Sequence, residues 1–106
     1  NSRAEWVMKK IGIDPDIYEI AIQFLQNRRN EQKVFHEAIE KKDLNVIQTL
    51  GHRLKGNAGG YGFDELGDLG AQLEQSAKVG DWQKIEALVK MIDEYVQSAE
   101  IFPLSA

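Results

Sequence analysis

The sequence predicts an all-α protein, an antiparallel up-down four-helix bundle with a short extra N-terminal helix. Four segments carry apolar residues at the three- and four-residue spacing of an amphipathic helix, and short links join them. No segment shows the alternation of apolar and polar residues that is typical of a strand. A chain of 106 residues fits one core, so we expect a single domain over residues 1–106.

The first long helix is predicted over residues 15–41. Asp14 is a suitable cap, and Pro15 suits the first helical position. The apolar positions of this helix are Ile17, Ile20, Ala21, Phe24, Leu25, Phe35, Ala38 and Ile39. Polar residues around Arg28 interrupt this stripe. The pattern leaves open a break near residues 27–30, or a stretch that projects beyond its neighbours.

The later helix boundaries follow from aspartates and glycines. Asp43 caps the second helix, predicted over about 43–60, and the glycine-rich run 59–62 ends it. Gly80 and Asp81 stop the third helix and cap the fourth. Each link is short, as an up-down bundle requires.

The two ends of the chain are expected to add little to the core. Residues 3–10 are predicted as the short extra helix, which packs Trp6 and Val7 across one end of the bundle. The residues from Phe102 onward are expected to fray or to lead into a neighbouring domain.

The composition excludes several functional classes. The chain has no cysteine, so disulfides and thiolate metal sites are ruled out and a reducing compartment is allowed. No apolar run approaches the roughly 18 residues of a membrane span, so membrane insertion is not expected. The net charge of −4 argues against nucleic-acid binding. Arg28-Arg29 is interpreted as a solvated surface.

His52 lies on the outer face of the second helix. The apolar stripe of this helix comprises Leu44, Ile47, Leu50, Leu54, Ala58 and Tyr61. His52 projects about 150° away from the centre of that stripe, as do Thr49 and Gly56. Gly59 lies on the same outer side, and Lys55 lies on its flank. Glycine costs about 1 kcal/mol in a helix interior. Two glycines beside an exposed imidazole therefore indicate that something large approaches it.

The pair His52 and Lys55 suits phosphoryl chemistry. A neutral imidazole nitrogen is a good nucleophile near neutral pH, and it forms a phosphoramidate that can pass the group on. A nearby ammonium stabilises the charge on the phosphoryl oxygens. The alternative is an exposed histidine next to an exposed lysine with no chemical role, and the glycines beside them favour the phosphoryl interpretation.

The motif His52-x-x-Lys55-Gly56, followed by Gly62, resembles the histidine-containing phosphotransfer (HPt) domain. The segments Leu73-Glu74 and Lys42-Asp43-Leu44 are also similar to that family's pattern, and the resemblance covers nearly the whole chain. It implies a four-helix bundle whose histidine takes a phosphoryl group from a receiver-domain aspartate and gives it to another receiver.

One variant of the family is closer still. The run Lys55-Gly56-x-Ala58-Gly59-x-x-Gly62-Phe63-x-x-Leu66 resembles the phosphoacceptor domain of chemotaxis-type histidine kinases. In that variant ATP, held by a separate kinase domain, is the phosphoryl donor. The resemblance also implies that Glu74 hydrogen-bonds the histidine, which would fix its tautomer. A flanking surface carboxylate is the alternative interpretation of Glu74.

Three positions depart from the family's usual residues. Arg53 stands where small or uncharged residues are common, and Tyr61 where an aliphatic residue is usual. Gly51 replaces the common alanine before the histidine, and we expect it to loosen the active helix. Arg53 should affect charge more than chemistry, whereas Tyr61 should only enlarge the core.

Other site types fit less well. A kinase dimerisation helix usually has an acid directly after its histidine, where this chain has Arg53. A phosphate-binding loop needs Gly-Lys-Ser/Thr after a strand, which the glycine run does not offer. A metal site needs several converging ligands, and His36, the only other histidine, is interpreted as a surface residue.

We therefore expect a phosphotransfer intermediate without an ATP site, cofactor or metal of its own. His52 is the predicted phosphoacceptor, Lys55 the phosphoryl-stabilising cation and Glu74 a candidate for orienting the histidine. The predicted partner contacts are Gln48, Thr49, Gly56 and Gly59. The partner is a receiver domain, which brings its own Mg²⁺, or a histidine kinase. We expect a cytoplasmic location, alone or as part of a larger sensor kinase. A non-catalytic helical adapter is the alternative from another class, but it leaves the exposed glycines unexplained.

Overall fold

Four helices account for most of residues 9–105, the part of the chain that the computed structural model describes. These are α1 (Tyr18–Glu40), α2 (Leu44–Asn57), α3 (Asp64–Val79) and α4 (Trp82–Ser98). The predicted all-α class with four helices is confirmed, while the antiparallel up-down arrangement stays a prediction. None of these helices combines the length and the apolar character needed to cross a membrane.

Asp43 and Asp81 cap α2 and α4 as predicted, whereas Asp14 caps a short 3₁₀ turn, Pro15–Ile17, and α1 itself begins only at Tyr18. Asp43 accepts a hydrogen bond from the backbone N–H of Val46 at 3.2 Å, which satisfies one of the free donors at the start of α2. After α2, a short 3₁₀ turn over Gly59–Tyr61 leads to Gly62, whose φ of 96° is left-handed. The second helix is therefore slightly shorter than the predicted span of 43–60.

Two short strands, β1 (Lys10–Ile13) and β2 (Glu100–Pro103), pair in parallel beside the helices. The expectation of no strand is wrong, as is the expectation that the chain frays from Phe102, which pairs with Gly12. Strands of four residues are too short to show a clear alternation, and these partners lie far apart in sequence. The predicted extra helix lies largely in residues 1–8, outside the described residues, and its last residue, Lys10, begins β1.

The middle of α1 neither breaks nor projects beyond its neighbours. Arg28 lies over the ring of Phe24, 4.8 Å from its centroid, and its Nε is 3.3 Å from a carboxylate oxygen of Glu31. Gln32 is buried and donates a hydrogen bond to the backbone carbonyl of Arg28 at 3.1 Å. The polar residues that interrupt the apolar stripe thus pack against the bundle, so both open alternatives for this stretch are wrong.

Arg29 connects α1 to the end of α4. Its guanidinium donates hydrogen bonds to the carbonyl oxygens of Val96 at 2.6 Å and Ala99 at 3.1 Å. These carbonyls lie at the helix C-terminus, where acceptors lack helical partners and a positive charge is favourable. The interpretation of Arg28-Arg29 as a solvated surface is therefore wrong, because Arg29 makes tertiary hydrogen bonds to the end of α4.

The core lies between the four helices, with α2 packed most extensively on α3 and α4 packed on both α3 and α1. The largest fully buried side chains on the helices are Phe35, Ile47, Leu54, Leu66, Leu73, Ile85, Ile92, Val89 and Val96. The helical spacing places Ile20 on the apolar stripe of α1, but half of its side chain is exposed. The packing of α2 on α3 brings side chains of the two helices together on one surface of the bundle.

Candidate functional site

His52 projects from the solvent side of α2. Ile47, Leu50 and Leu54 of the same helix are buried against the bundle. The side chain of His52 is 70% exposed on the opposite face, and Gly56 is exposed one turn later. The helical period thus gives the outward-facing imidazole that the sequence predicts.

A single carboxylate from α3 reaches both functional groups of α2. Glu74 Oε2 lies 2.8 Å from Nδ1 of His52, and Lys55 Nζ donates a hydrogen bond to Glu74 Oε1 at 3.3 Å. The side chain of Glu74 is only 10% exposed, whereas that of Lys55 is 54% exposed. Of the two interpretations of Glu74, the flanking surface carboxylate does not fit this burial. The carboxylate is nearly buried, and its two oxygens are divided between an imidazole and an ammonium.

This contact determines which ring nitrogen is available. An ionised carboxylate can only accept hydrogen bonds, so Nδ1 of His52 carries the proton and donates it towards Glu74. In the neutral ring Nε2 then holds the free lone pair. Within residues 9–105 no group hydrogen-bonds to Nε2 of His52. The exposed edge of the ring is therefore its nucleophilic edge.

The surroundings of Glu74 keep it ionised. Burial by itself raises the pKa of Glu74, but the hydrogen bonds from His52 and Lys55 and the electrostatic effect of these two side chains lower it, and the net result is a pKa below the ordinary value. A deprotonated Glu74 is the form that can accept hydrogen bonds through both of its oxygens, at one of them from the Nδ1–H of His52.

The glycine before the histidine has a packing role. Gly51 is buried, and a Cβ added there would lie 2.7 Å from the backbone nitrogen of Glu74 and 2.9 Å from the carbonyl oxygen of Gly70. The missing side chain of Gly51 lets α3 approach α2 closely, whereas the expectation that Gly51 loosens the active helix stays a prediction. Gly70 was not recognised from the sequence, since only the packed helices reveal that the two glycines face each other.

Gly56 is free of any such intramolecular constraint. A Cβ added at Gly56 or at Gly60 would meet nothing within 4 Å, and one added at Gly59 would make only ordinary contact, 3.5 Å from Asp64 Oδ1. The glycines with positive φ in the described chain are Gly62 and Gly80. Neither the backbone nor the neighbours therefore require glycine at position 56.

The remaining predicted residues lie around this face or away from it. Gln48 is half-buried and Thr49 is exposed. Thr49 borders a groove of about 310 Å³ between α1 and α2 whose lining is Val34, Asn45, Val46, Thr49, Leu50 and Arg53. Tyr61 stacks on Phe24 with ring centroids 4.6 Å apart, in agreement with a packing role. His36 is exposed on α1, and the described residues contain no cluster of three or more potential metal ligands.

Comparison with known proteins identifies one family. A family model described as "Hpt domain" matches residues 19–98, which is most of the chain and includes all of α2 and α3. Neither the curated proteins nor the solved structures gave a match.

Acidification should weaken the wild-type fold more than that of a Glu74→Gln variant. The folded-state pKa of Glu74 lies below its ordinary value of 4.5, so its stabilising contribution is present above that value. The contribution is lost as the pH falls through the lower folded-state pKa. Urea denaturation across this pH range measures the effect as the difference in free energy of unfolding. The exposed Glu86→Gln change on α4 is the matched control, and parallel profiles for wild type and Glu74→Gln would contradict the prediction.

Proposed function

Since the chain belongs to the Hpt domain family, we propose that His52 accepts a phosphoryl group from an aspartate of one receiver domain and passes it to an aspartate of another. Membership of the family implies histidine phosphotransfer in a phosphorelay, and Hpt domains interact with response regulators and kinases. The observation that carries the proposal is the exposed His52 ring, held at Nδ1 by Glu74.

The proposed step uses the free lone pair of Nε2. It attacks the phosphorus of the receiver's aspartyl phosphate, and an N–P bond forms as the bond from phosphorus to the aspartate oxygen breaks. The electron pair of that bond leaves with the aspartate carboxylate. The ring keeps its proton on Nδ1 and gains positive charge, which Glu74 at 2.8 Å stabilises. Attack by the aspartate of a second receiver reverses these changes.

Lys55 is proposed to stabilise the transferring group. Its ammonium is anchored to Glu74 at one point, yet just over half of the side chain is exposed. A lysine ammonium has three donors on a flexible stem, so Lys55 can bind a phosphoryl oxygen while it keeps its contact with Glu74. The charge that spreads over the phosphoryl oxygens during transfer favours this contact.

The proposed docking surface is the exposed face around His52. Gly56 and Gly59 leave space beside the ring, and Gln48 and Thr49 extend the face towards the start of α2. The receiver brings its aspartate and its Mg²⁺ to this surface. The proposal assigns this chain the role of carrier, without ATP chemistry of its own, in the cytoplasmic location predicted above.

The Glu74–His52 hydrogen bond also favours a second donor. Resemblance to the chemotaxis-type phosphoacceptor domain implies such a bond, so the donor can instead be ATP on a separate kinase domain. Incubation with a phosphorylated receiver in one reaction, and with a kinase and ATP in another, separates the two donors. A helical adapter would acquire stable label in neither reaction.

Replacing His52 with glutamine should abolish phosphoryl uptake and leave the fold intact, because the side chain is largely exposed. The expected result is an acid-labile, base-stable label on the wild-type protein and none on His52→Gln. The other histidine supplies the control, since His36 is also exposed and His36→Gln should be labelled normally. Label retained on His52→Gln would place the acceptor elsewhere.

Replacing Lys55 with alanine should slow transfer more than it weakens docking, because the lysine interacts with charge that develops in the transition state. We expect a loss of about tenfold to a hundredfold in the single-turnover rate. Lys90→Ala, at an exposed position on α4, is the control. An unchanged rate combined with weaker receiver binding would make Lys55 a docking residue only.

Replacing Gly56 with leucine should block transfer and preserve or raise thermal stability. The added side chain enters open space, and glycine is the poorer helix former by about 1 kcal/mol. The leucine side chain would stand where the receiver must approach the imidazole of His52. Gly60→Leu, which also enters open space but follows α2, is the matched control in thermal unfolding and transfer assays. Normal transfer by Gly56→Leu would refute the steric explanation.

A further inference from the structure

We propose that Gly51 and Gly70 are positioning residues, whose contact sets the helix spacing at which Glu74 can hold His52 and Lys55 together. This inference rests on the proposed phosphotransfer at His52 and assigns a role to two residues that never touch the phosphoryl group. Each glycine precedes a site residue by one helical turn, because Lys55 follows Gly51 by four positions and Glu74 follows Gly70 by four. The contact between the helices is therefore at the level of the site.

The close approach is reciprocal. A Cβ added at Gly51 would lie 2.9 Å from the carbonyl oxygen of Gly70, and one added at Gly70 would lie 2.8 Å from that of Gly51. The second Cβ would also lie 2.5 Å from Leu54 Cβ and 2.8 Å from the backbone nitrogen of Lys55. These neighbours are backbone atoms or the base of a side chain, so no rotamer change can relieve the overlap.

An added methyl group would therefore have to push the two helices apart. Ordinary contact between carbon atoms needs about 3.5–4.0 Å, so the backbones would have to separate by roughly 1 Å. Glu74 is affected directly, because its backbone nitrogen is the nearest neighbour of the Cβ added at Gly51. A displacement of that size would stretch the 2.8 Å contact between Glu74 and His52 beyond hydrogen-bonding distance.

The overlap does not recur at Gly67, the other glycine of α3. Gly67 lies one turn before Gly70. The atoms nearest to a Cβ added at Gly67 belong to α2 and to the turn that follows it. A Cβ added at Gly67 would stand 3.7 Å from both the backbone nitrogen of Gly59 and the carbonyl oxygen of Leu54, which is ordinary contact. A methyl group thus fits at Gly67, whereas it overlaps its neighbours at Gly70, one turn before Glu74.

The first test measures the carboxylate itself. The titration of Glu74 is followed by carbon NMR in wild type, Gly51→Ala, Gly70→Ala and the control Gly67→Ala, and the His52 tautomer by nitrogen NMR. We expect the pKa of Glu74 to rise towards its ordinary value in the first two variants and the share of the Nδ1–H tautomer of His52 to fall. Gly67→Ala should match wild type. A general loss of stability would not produce this pattern, because it changes neither the pKa of Glu74 nor the tautomer of His52 in the molecules that remain folded.

The second test asks whether the glycines act through Glu74. Gly51→Ala should transfer phosphoryl about tenfold more slowly than wild type, since small displacements of aligned groups carry large rate penalties. The double variant Gly51→Ala/Glu74→Gln should be no slower than Glu74→Gln alone. Additive losses in the double variant would overturn the proposal.

Two further outcomes would also contradict the positioning role of Gly51 and Gly70. Folded alanine variants with an unchanged Glu74 titration would show that the site does not depend on this spacing. Failure of both alanine variants to fold would assign the glycine pair to fold stability instead. The NMR titration does not involve phosphorylation, so it decides the positioning role even if wild type takes up no label and the proposed function fails.

Discussion

The carboxylate of Glu74 organises the exposed side of this protein. It is nearly buried at the contact between α2 and α3, and it accepts hydrogen bonds from both His52 and Lys55. A buried charge is costly unless it is paired, and here the two partners on α2 supply the pairing. The same contacts that make this burial tolerable also fix the proton on Nδ1 of His52. Stability and proposed reactivity thus depend on one interaction.

The glycines near the histidine serve two different physical needs. Gly51 has no side chain because another backbone occupies the space, as the distances to Glu74 and Gly70 demonstrate. Gly56 has empty space around it and no left-handed backbone, so nothing within the described chain excludes a side chain there. The inward glycine lets a helix of the same protein approach, and the outward glycine fits the approach of another protein. One glycine thus brings the carboxylate of Glu74 to one edge of the ring, and under the proposed function the other would admit a receiver to the opposite edge.

The sequence was most informative where periodicity and capping act locally. The four helices, the cap at Asp43 and the outward direction of His52 all follow from residues close in the chain. The errors concern contacts between distant segments, such as the β1–β2 pair and the hydrogen bonds from Arg29 to the end of α4. The packing role of Gly51 belongs with these contacts, because a glycine that admits a neighbouring helix looks in sequence like one that weakens its own. Only the packed structure reveals that a neighbouring backbone lies against it.

The division between buried and exposed groups suggests how the site and its partner share the chemistry. Glu74 is shielded and held in place by its own fold, whereas the reactive edge of His52 and much of Lys55 face water. In water the charge of Lys55 acts weakly, since the solvent screens it. A docked receiver would exclude that water and strengthen both contacts to Glu74 just when positive charge develops on the ring. The free domain can therefore keep its histidine exposed without strong activation, and the full electrostatic effect would arise only in the complex with a partner that carries the phosphoryl group.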